Sequence, residues 1–265
     1  MRFDWYQASL DYPHNEVIEQ VADAFRAGVD HDRPKHGYHH AVRVEDRDSQ
    51  VRARVMWGGN QGVHVWTSGE DSPLLAGTLR EHFPEHRPTR LDAAEDYRAP
   101  DAWERLYGLL YGVVLRYNLR GYHAGDWTHY VGGRTYYGGS RTSIAQAIVY
   151  EKGKEQGTDP EHVRLELRVK PKNVQARERL SQASPHEIFG ASRWSLDLAE
   201  RMGAENLERI AAGTIWDPSA DEQAWEWLCH QYGNLLSRKA AALGDWCSVG
   251  QALQETISRQ KGPSH

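Results

Sequence analysis

Cysteine is nearly absent from this sequence: Cys229 and Cys247 are the only two in 265 residues. A lone late pair offers neither a disulfide framework nor a zinc-ligand spacing, and both side chains are expected as reduced thiols. A basic excess is missing too. The formal charge is −5, from 32 Lys and Arg against 37 Asp and Glu. A polyanionic partner would therefore have to meet a local basic face. The middle of the chain supplies one, with Arg134, Arg141, Lys152, Lys154, Arg164, Arg168, Lys170 and Lys172. No apolar run reaches the ~20 residues of a membrane span. The opening MRFDWYQASL carries no signal-type hydrophobic stretch, so the expected compartment is the cytoplasm, with no membrane partner. The Gly132-Gly133 and Gly138-Gly139 pairs are followed by no Gly-Lys-Ser/Thr, which excludes a P-loop. Neither repeats nor low-complexity segments are visible.

What the sequence does carry is periodicity. Residues 14–28 place Val17, Val21, Ala24 and Phe25 at helical spacing and stop at Gly28. Alternation predicts strands over 51–57 and 63–67, joined by a glycine-rich hairpin connection at 58–62. A helix over 74–83 closes at Pro84, and a strand follows over 89–97. Asp101 stands where it would cap a helix over 102–118 whose apolar face carries Trp103, Leu106, Leu110, Val114 and Tyr117. The stretch 121–143 predicts short strands and turns, and 146–152 and 163–170 predict two further strands. Helices dominate after 184, including 192–201 and a long one near 220–243; Trp103, Trp225 and Trp227 sit at core-like positions. The segment with His36, His39 and His40 reads as a polar loop. This pattern predicts an α+β fold: an antiparallel sheet with helices packed on one face and a helical C-terminal region. Residues 1–183 form the expected catalytic core and 184–265 the helical region.

Alternation also assigns chemistry to faces. Over 89–97, Arg90, Asp92, Ala94 and Asp96 share one face. Over 163–169, Val163, Leu165, Leu167 and Val169 point to the core while Arg164, Glu166 and Arg168 point away. Over 146–152, Gln146, Ile148, Tyr150 and Lys152 share a face. If these strands adjoin, Asp92, Asp96 and Glu166 offer oxygen ligands for a hard divalent cation, which can orient an in-line attack on a phosphoryl group. Tyr150 is then a candidate nucleophile; its free pKa of about 10 calls for activation, which Lys152 could provide by its charge. Plainer alternatives stand beside this. An Arg-x-Glu-x-Arg strand is also a solvated face with cross-strand ion pairs, Asp96 also a turn cap, and Tyr150, one of 13 tyrosines, also packing.

Several stretches resemble the replication initiation factor family, the rolling-circle Rep proteins of plasmids and of filamentous phages or prophages. They are Arg134-Thr135-Tyr136-Tyr137-Gly138-Gly139-Ser140-Arg141-Thr142-Ser143, Ile148-Val149-Tyr150-Glu151-Lys152 and Val163-Arg164-Leu165-Glu166-Leu167-Arg168. Upstream, Arg90-Leu91-Asp92-Ala93-Ala94-Glu95-Asp96 resembles the family's acidic strand and Phe3-Asp4-Trp5-Tyr6 its opening strand. Gly138 stands where that family often has a larger apolar residue. The His-apolar-His signature of the common nicking superfamily is absent. The resemblance implies a site-specific DNA strand transferase: a tyrosine attacks an origin phosphodiester, keeps the 5′ phosphate and frees a 3′ hydroxyl. It implies Mg²⁺ or Mn²⁺ at Asp92, Asp96 and Glu166, Tyr150 as nucleophile with Lys152 as its basic neighbour, and Tyr137 as second candidate. Arg134, Arg141, Ser143, Arg164 and Arg168 would contact DNA phosphates. The implied partner is origin DNA, single-stranded or as an extruded hairpin; a host helicase or polymerase and a second copy of the chain are further candidates. Two rival readings remain, a non-enzymatic DNA-binding protein of the same fold and a water-using metal-dependent phosphodiesterase.

Overall fold

The computed structural model describes residues 1–203 and 220–260, which belong to two compact units, Met1–Ile215 and Trp216–His265. In the first unit, strands β1 (Arg2–Leu10), β2 (Gly28–His31), β3 (His40–Glu45), β4 (Val51–Trp57), β5 (Val63–Ser68), β6 (Arg87–Arg98), β7 (Gly121–Gly125), β8 (Arg134–Gly138), β9 (Ala145–Tyr150) and β10 (His162–Val169) form one antiparallel sheet. Its order is β2-β3-β4-β5-β1-β6-β10-β9-β8-β7. Helices α1 (His14–Phe25), α2 (Ser72–His82), α3 (Ala102–Arg116), α4 (Lys152–Gln156), α5 (Val174–Gln182) and α6 (Arg193–Arg201) complete it. The fold class is α+β. The second unit contains α7 (Ala220–Leu243) and α8 (Trp246–Gln260). No helix among the described residues is long and apolar enough to cross a membrane.

Strand order reveals a duplication. From β1 to α2 the chain runs strand, helix, four strands, helix; from β6 to α5 it does so again, with the short α4 inserted before β10. In space each half places its first strand beside its last, and the two first strands, β1 and β6, pair antiparallel at the centre. The halves therefore match strand for strand outward from the β1/β6 seam.

One face of this sheet is apolar and covered. Val17 and Val21 of α1, Leu75 and Leu79 of α2, Leu106, Leu110 and Val113 of α3, and Leu180 of α5 pack in one core with Tyr6, Val55, Val65, Leu91, Leu165, Leu167 and Val149 from the strands. Tyr6 carries a polar group into that core: its hydroxyl bonds His86 Nε2 at 2.7 Å, and His86 Nδ1 lies 2.8 Å from the Phe83 carbonyl. The Nδ1–H tautomer satisfies all three groups. Burial holds the His86 imidazole down at about 4, so it stays neutral.

Most predicted elements are present, and the departures have local causes. Helix α1 ends at Phe25 rather than Gly28, because Arg26 turns into the left-handed region at φ 49° with its N–H on the Ala22 and Asp23 carbonyls. Gly28 instead opens β2. Residues 28–31 and 40–45 are strands, although β2 is exposed throughout and shows no alternation. Asp101 occupies the cap position of α3 without a side-chain hydrogen bond. Strand β9 stops at Tyr150, and Lys152 begins α4. The cause is Glu151, whose buried carboxylate takes the Arg134 N–H at 2.7 Å and its guanidinium twice at 3.0 Å. Trp103 lies in the core; the side chains of Trp225 and Trp227 lie outside the described residues.

Gly138 has a packing reason. A Cβ there would lie 2.8 Å from Leu110 and 2.9 Å from Val114, so α3 rests directly on the β8 backbone. Overfilling such a contact costs ~1–3 kcal/mol. Gly138→Val is accordingly expected to lower the thermal midpoint by several degrees, read by circular dichroism. An unchanged midpoint would show that α3 can lift away freely.

Candidate functional site

The opposite face of the sheet is rich in polar side chains, and a bulge helps fill it. The β1/β6 register shifts between Phe3 and Trp5. Phe3 and Tyr6 both remain in the core, so the extra residue sends Asp4 and Trp5 together to the open face. Across the seam, Trp5 lies opposite Asp92, and β10 sets Arg168 opposite Asp92 and Arg164 opposite Asp96.

Arg164 is the anchor of this face. Its side chain is only 1% exposed. Nε and one terminal nitrogen donate to the two oxygens of Asp96, each at 2.7 Å, and the other donates to Asp4 at 2.7 Å. Although burial alone would lower it, the hydrogen bonds it donates to Asp96 and the charge of Asp4 hold the guanidinium above its ordinary value. His162 adds a contact to Asp96 at 2.8 Å. Burial pushes Asp96 up, but hydrogen bonds from Arg164 and His162 outweigh it and keep the carboxyl well below its usual range.

One step along β6 and β10, Asp92 and Glu166 form a buried carboxylate pair, 1% and 7% exposed. Arg90 chelates Asp92, and Arg168 bridges the two acids, at 3.2 Å to Asp92 and 3.1 Å to Glu166. Burial first, then the charge of Asp92 and a hydrogen bond to it, push Glu166 up to about 8. At neutral pH Glu166 is thus held largely protonated beside Asp92. The cross-strand ion pairs suggested by the Arg-x-Glu-x-Arg pattern are present, but they are buried rather than solvated.

Of the three carboxylates singled out from sequence, Asp92 and Glu166 meet, while Asp96 is engaged by Arg164 and His162. Among the described residues no group of three or more His, Cys, Asp or Glu is arranged to hold a metal ion. Tyr150 is on the same face, directly across from Arg164 in the β9/β10 ladder. Burial and then the nearby Glu166 charge raise its phenol well above its ordinary value, with Arg164 pulling the other way. Lys152, on α4 rather than on the strand, is lowered by burial and by Arg164, with Asp4 and Asp96 opposing. Its ammonium is thus coupled to the acidic end of the face. Tyr137 lies on β8 stacked on Tyr122, with ring centroids 4.3 Å apart.

The remaining basic candidates scatter. Arg164 and Arg168 are committed to the acids just described. Arg134 binds Glu151 and lies over the ring of Trp103 at 4.4 Å, so it joins α3 to β8. Arg141 and Ser143 sit in the β8–β9 turn, where Arg141 is exposed and its carbonyl accepts from Lys170 at 3.2 Å. Sequence reasoning missed Asp4, hidden by the bulge, and His162, which precedes the alternating run. It also missed a ladder across four strands: Arg54 over Trp66 at 4.9 Å, Trp66 stacked on Trp5 at 4.8 Å, and Arg90 over Trp5 at 4.1 Å.

A buried acid held protonated destabilises the fold once it must ionise. Glu166 is raised in the folded chain, so its contribution is present below about pH 4.5 and is lost as pH climbs through about 8. Glu166→Gln is expected to stabilise the metal-free protein at pH 8.5 by up to ~5 kcal/mol, at ~1.4 kcal/mol per pKa unit, and by less than ~1 kcal/mol at pH 5. Urea titrations at the two pH values measure this; equal effects at both would show that Glu166 is not held protonated.

No protein-family model and no curated protein matches the sequence. Among solved structures, a rolling circle replication initiator protein from Geobacillus stearothermophilus is similar at 19% identity, over 80% of this chain and 98% of that one, with a TM-score of 0.52. The di-domain ARO/CYC StfQ of the steffimycin biosynthetic pathway overlaps 76% of this chain at 13% identity, but its TM-score of 0.19 is below that of a shared fold. The chain therefore shares the fold of a rolling circle replication initiator.

Proposed function

We propose that this protein is a DNA nicking-closing enzyme that initiates rolling-circle replication of a phage, prophage or plasmid through a phosphotyrosine intermediate. The observation that carries the reading is the nearness of Tyr150 to Glu166, one member of the buried Asp92–Glu166 pair, on the open face of a fold shared with such an initiator. In this reading Tyr150 Oη attacks an origin phosphorus and the P–O3′ bond breaks. The 5′ phosphate stays on the tyrosine, and the 3′ oxygen leaves as a hydroxyl. Its proton comes from the Lys152 ammonium, and the phenol proton passes to an ionised oxygen of Glu166. The raised phenol of Tyr150 stays protonated at rest, so attack waits for substrate and for ionisation of Glu166.

Two adjoining buried carboxylates suit a hard cation. Magnesium in particular is held through one or two carboxylates together with substrate phosphate rather than by an all-protein cage. Asp92 and Glu166 would hold Mg²⁺ or Mn²⁺, which supplies positive charge to the phosphoryl oxygens. Arg168, which bridges both acids, is the internal cation that would give way. Asp96 then serves by fixing Arg164.

A second reading is favoured by one observation: Asp96 is fully engaged and no three acids converge among the described residues. On it, the chain binds DNA without cutting. Incubating the protein with Mn²⁺ and labelled single-stranded origin DNA, then resolving covalent adducts on a denaturing gel, separates the two. A metal-dependent adduct is expected, lost in Tyr150→Phe and retained in Tyr137→Phe. Cleavage with no adduct would make water the nucleophile. Binding with neither cleavage nor adduct would leave the non-enzymatic reading.

A further inference from the structure

A cavity of about 370 Å³ lies mainly on the half of the sheet that lacks the acidic pair and reaches across the seam to Thr89, Arg90 and Lys170. It is small for a binding site, in the ~300–1,000 Å³ range of small-ligand pockets, and suits one nucleotide rather than a duplex. Five of its lining side chains are cationic, Arg33, Lys35, Arg54, Arg90 and Lys170, against one acid, Asp32. In a chain of net charge −5 this is a pronounced local reversal.

Two of these cations are held in place. Arg54 and Arg90 close the two ends of the Trp66–Trp5 stack, so their guanidinium planes are fixed by the indoles. Asp32 takes only Arg54 Nε, at 2.8 Å, which leaves the terminal nitrogens of Arg54 as donors. Guanidinium groups fixed in this way are suited to phosphate oxygens. Neutral groups line the same space. Trp5 donates to Gln7 Oε1 at 3.1 Å, which fixes the amide so that its N–H₂ is presented as a donor. Burial holds His64 at about 4, uncharged, and Met56 adds an apolar surface. Cations, an oriented amide, a neutral imidazole and a thioether together match the phosphate, polar edges and flat face of a nucleotide. Arg90 joins this pocket to the acidic pair, since it both lines the cavity and chelates Asp92.

We infer that the cavity binds one nucleotide of a single DNA strand, through its phosphate, several nucleotides along that strand from the one whose phosphate meets Tyr150. The inference rests on the DNA reading above. It assigns the two halves of the duplicated sheet different tasks, grip in the first and chemistry in the second.

The test is fluorescence anisotropy of a labelled, unstructured single-stranded oligodeoxynucleotide in EDTA, across a salt series. The proteins are wild type, the double variant Arg33→Gln/Lys35→Gln, Arg54→Gln, and Arg179→Gln, an exposed cation on α5 outside the cavity, as a comparison; thermal melts check folding. Arg33 and Lys35 are exposed in the β2–β3 connection, so that variant is expected to fold. Its affinity should fall on the order of ten-fold, and its log–log salt slope should shrink by ~0.7, the share of one neutralised phosphate on a single strand. Arg179→Gln should keep the wild-type slope. Wild-type affinity and slope in both pocket variants would overturn the inference while leaving the nicking proposal standing. Absence of any strand binding by wild type would overturn both. Competition by thymidine monophosphate or inorganic phosphate at the concentration of the oligonucleotide would assign the pocket to a free ligand and overturn the strand assignment. A nick that fails while the pocket variants still change the slope would sink the nicking proposal alone.

Discussion

A buried guanidinium organises the open face of this protein. Arg164 on β10 reaches Asp96 on β6 with two nitrogens and Asp4 on β1 with the third, so one side chain ties three adjacent strands together. Such a group is tolerated in the interior only while its donors are matched. Removing one partner from a buried pair costs ~3–5 kcal/mol, because an uncompensated charge is left behind. Much around it follows. The β1 bulge is needed to deliver Asp4, His162 braces the Asp96 oxygen that Arg164 Nε also binds, and Asp96 is kept ionised. With one acid committed to Arg164, Asp92 and Glu166 are left buried side by side with Arg90 and Arg168, and burial first, then the charge of Asp92, raises Glu166.

The duplicated topology explains how one sheet can hold two different surfaces. Each half supplies the same scaffold, a first strand beside a last strand with helices behind them, but their open faces diverge. Around β10 and β9 lie the acids, Arg164 and Tyr150. Around β5 and β4 lie Trp66, His64, Met56 and Arg54. The seam strands β1 and β6 belong to both, and Arg90 on β6 touches each. A net charge of −5 is thus compatible with a polyanionic partner, since the charge is divided across the sheet rather than averaged over it.

Much of this was legible in the sequence wherever burial leaves a period. Val163, Leu165, Leu167 and Val169 announced which face of β10 is core, and so placed Arg164, Glu166 and Arg168 opposite. Likewise, α3 was readable from Trp103, Leu106 and Leu110. What stayed hidden depends on contacts between distant residues. Lys152 was read as strand because nothing local reveals that Glu151 turns inward to Arg134. Asp4 shares its face with Trp5 only through a bulge that breaks alternation. The exposed β2 has no apolar face to betray it. The duplication was invisible because it lives in connectivity, which alternating strands of unrelated composition satisfy equally well.

The Trp5–Trp66 stack shows the limit of periodicity most clearly. Alternation puts each tryptophan on the open face, where a lone exposed indole needs no explanation. Their meaning comes from β5 pairing with β1, which sets Trp66 opposite Gln7 and within stacking distance of Trp5. Pairing β4 with β5 and β6 with β1 then places a guanidinium on each outer ring face. Four residues from four strands acquire one geometry that none specifies alone. The same holds for the carboxylates, for which the sequence supplied the candidates and the cross-strand register chose partners among them. The face therefore sorts its acids by neighbour: the one opposite Arg164 becomes structural, and the two left facing each other retain an unresolved charge, the condition a bound cation or an attacking phenol can use.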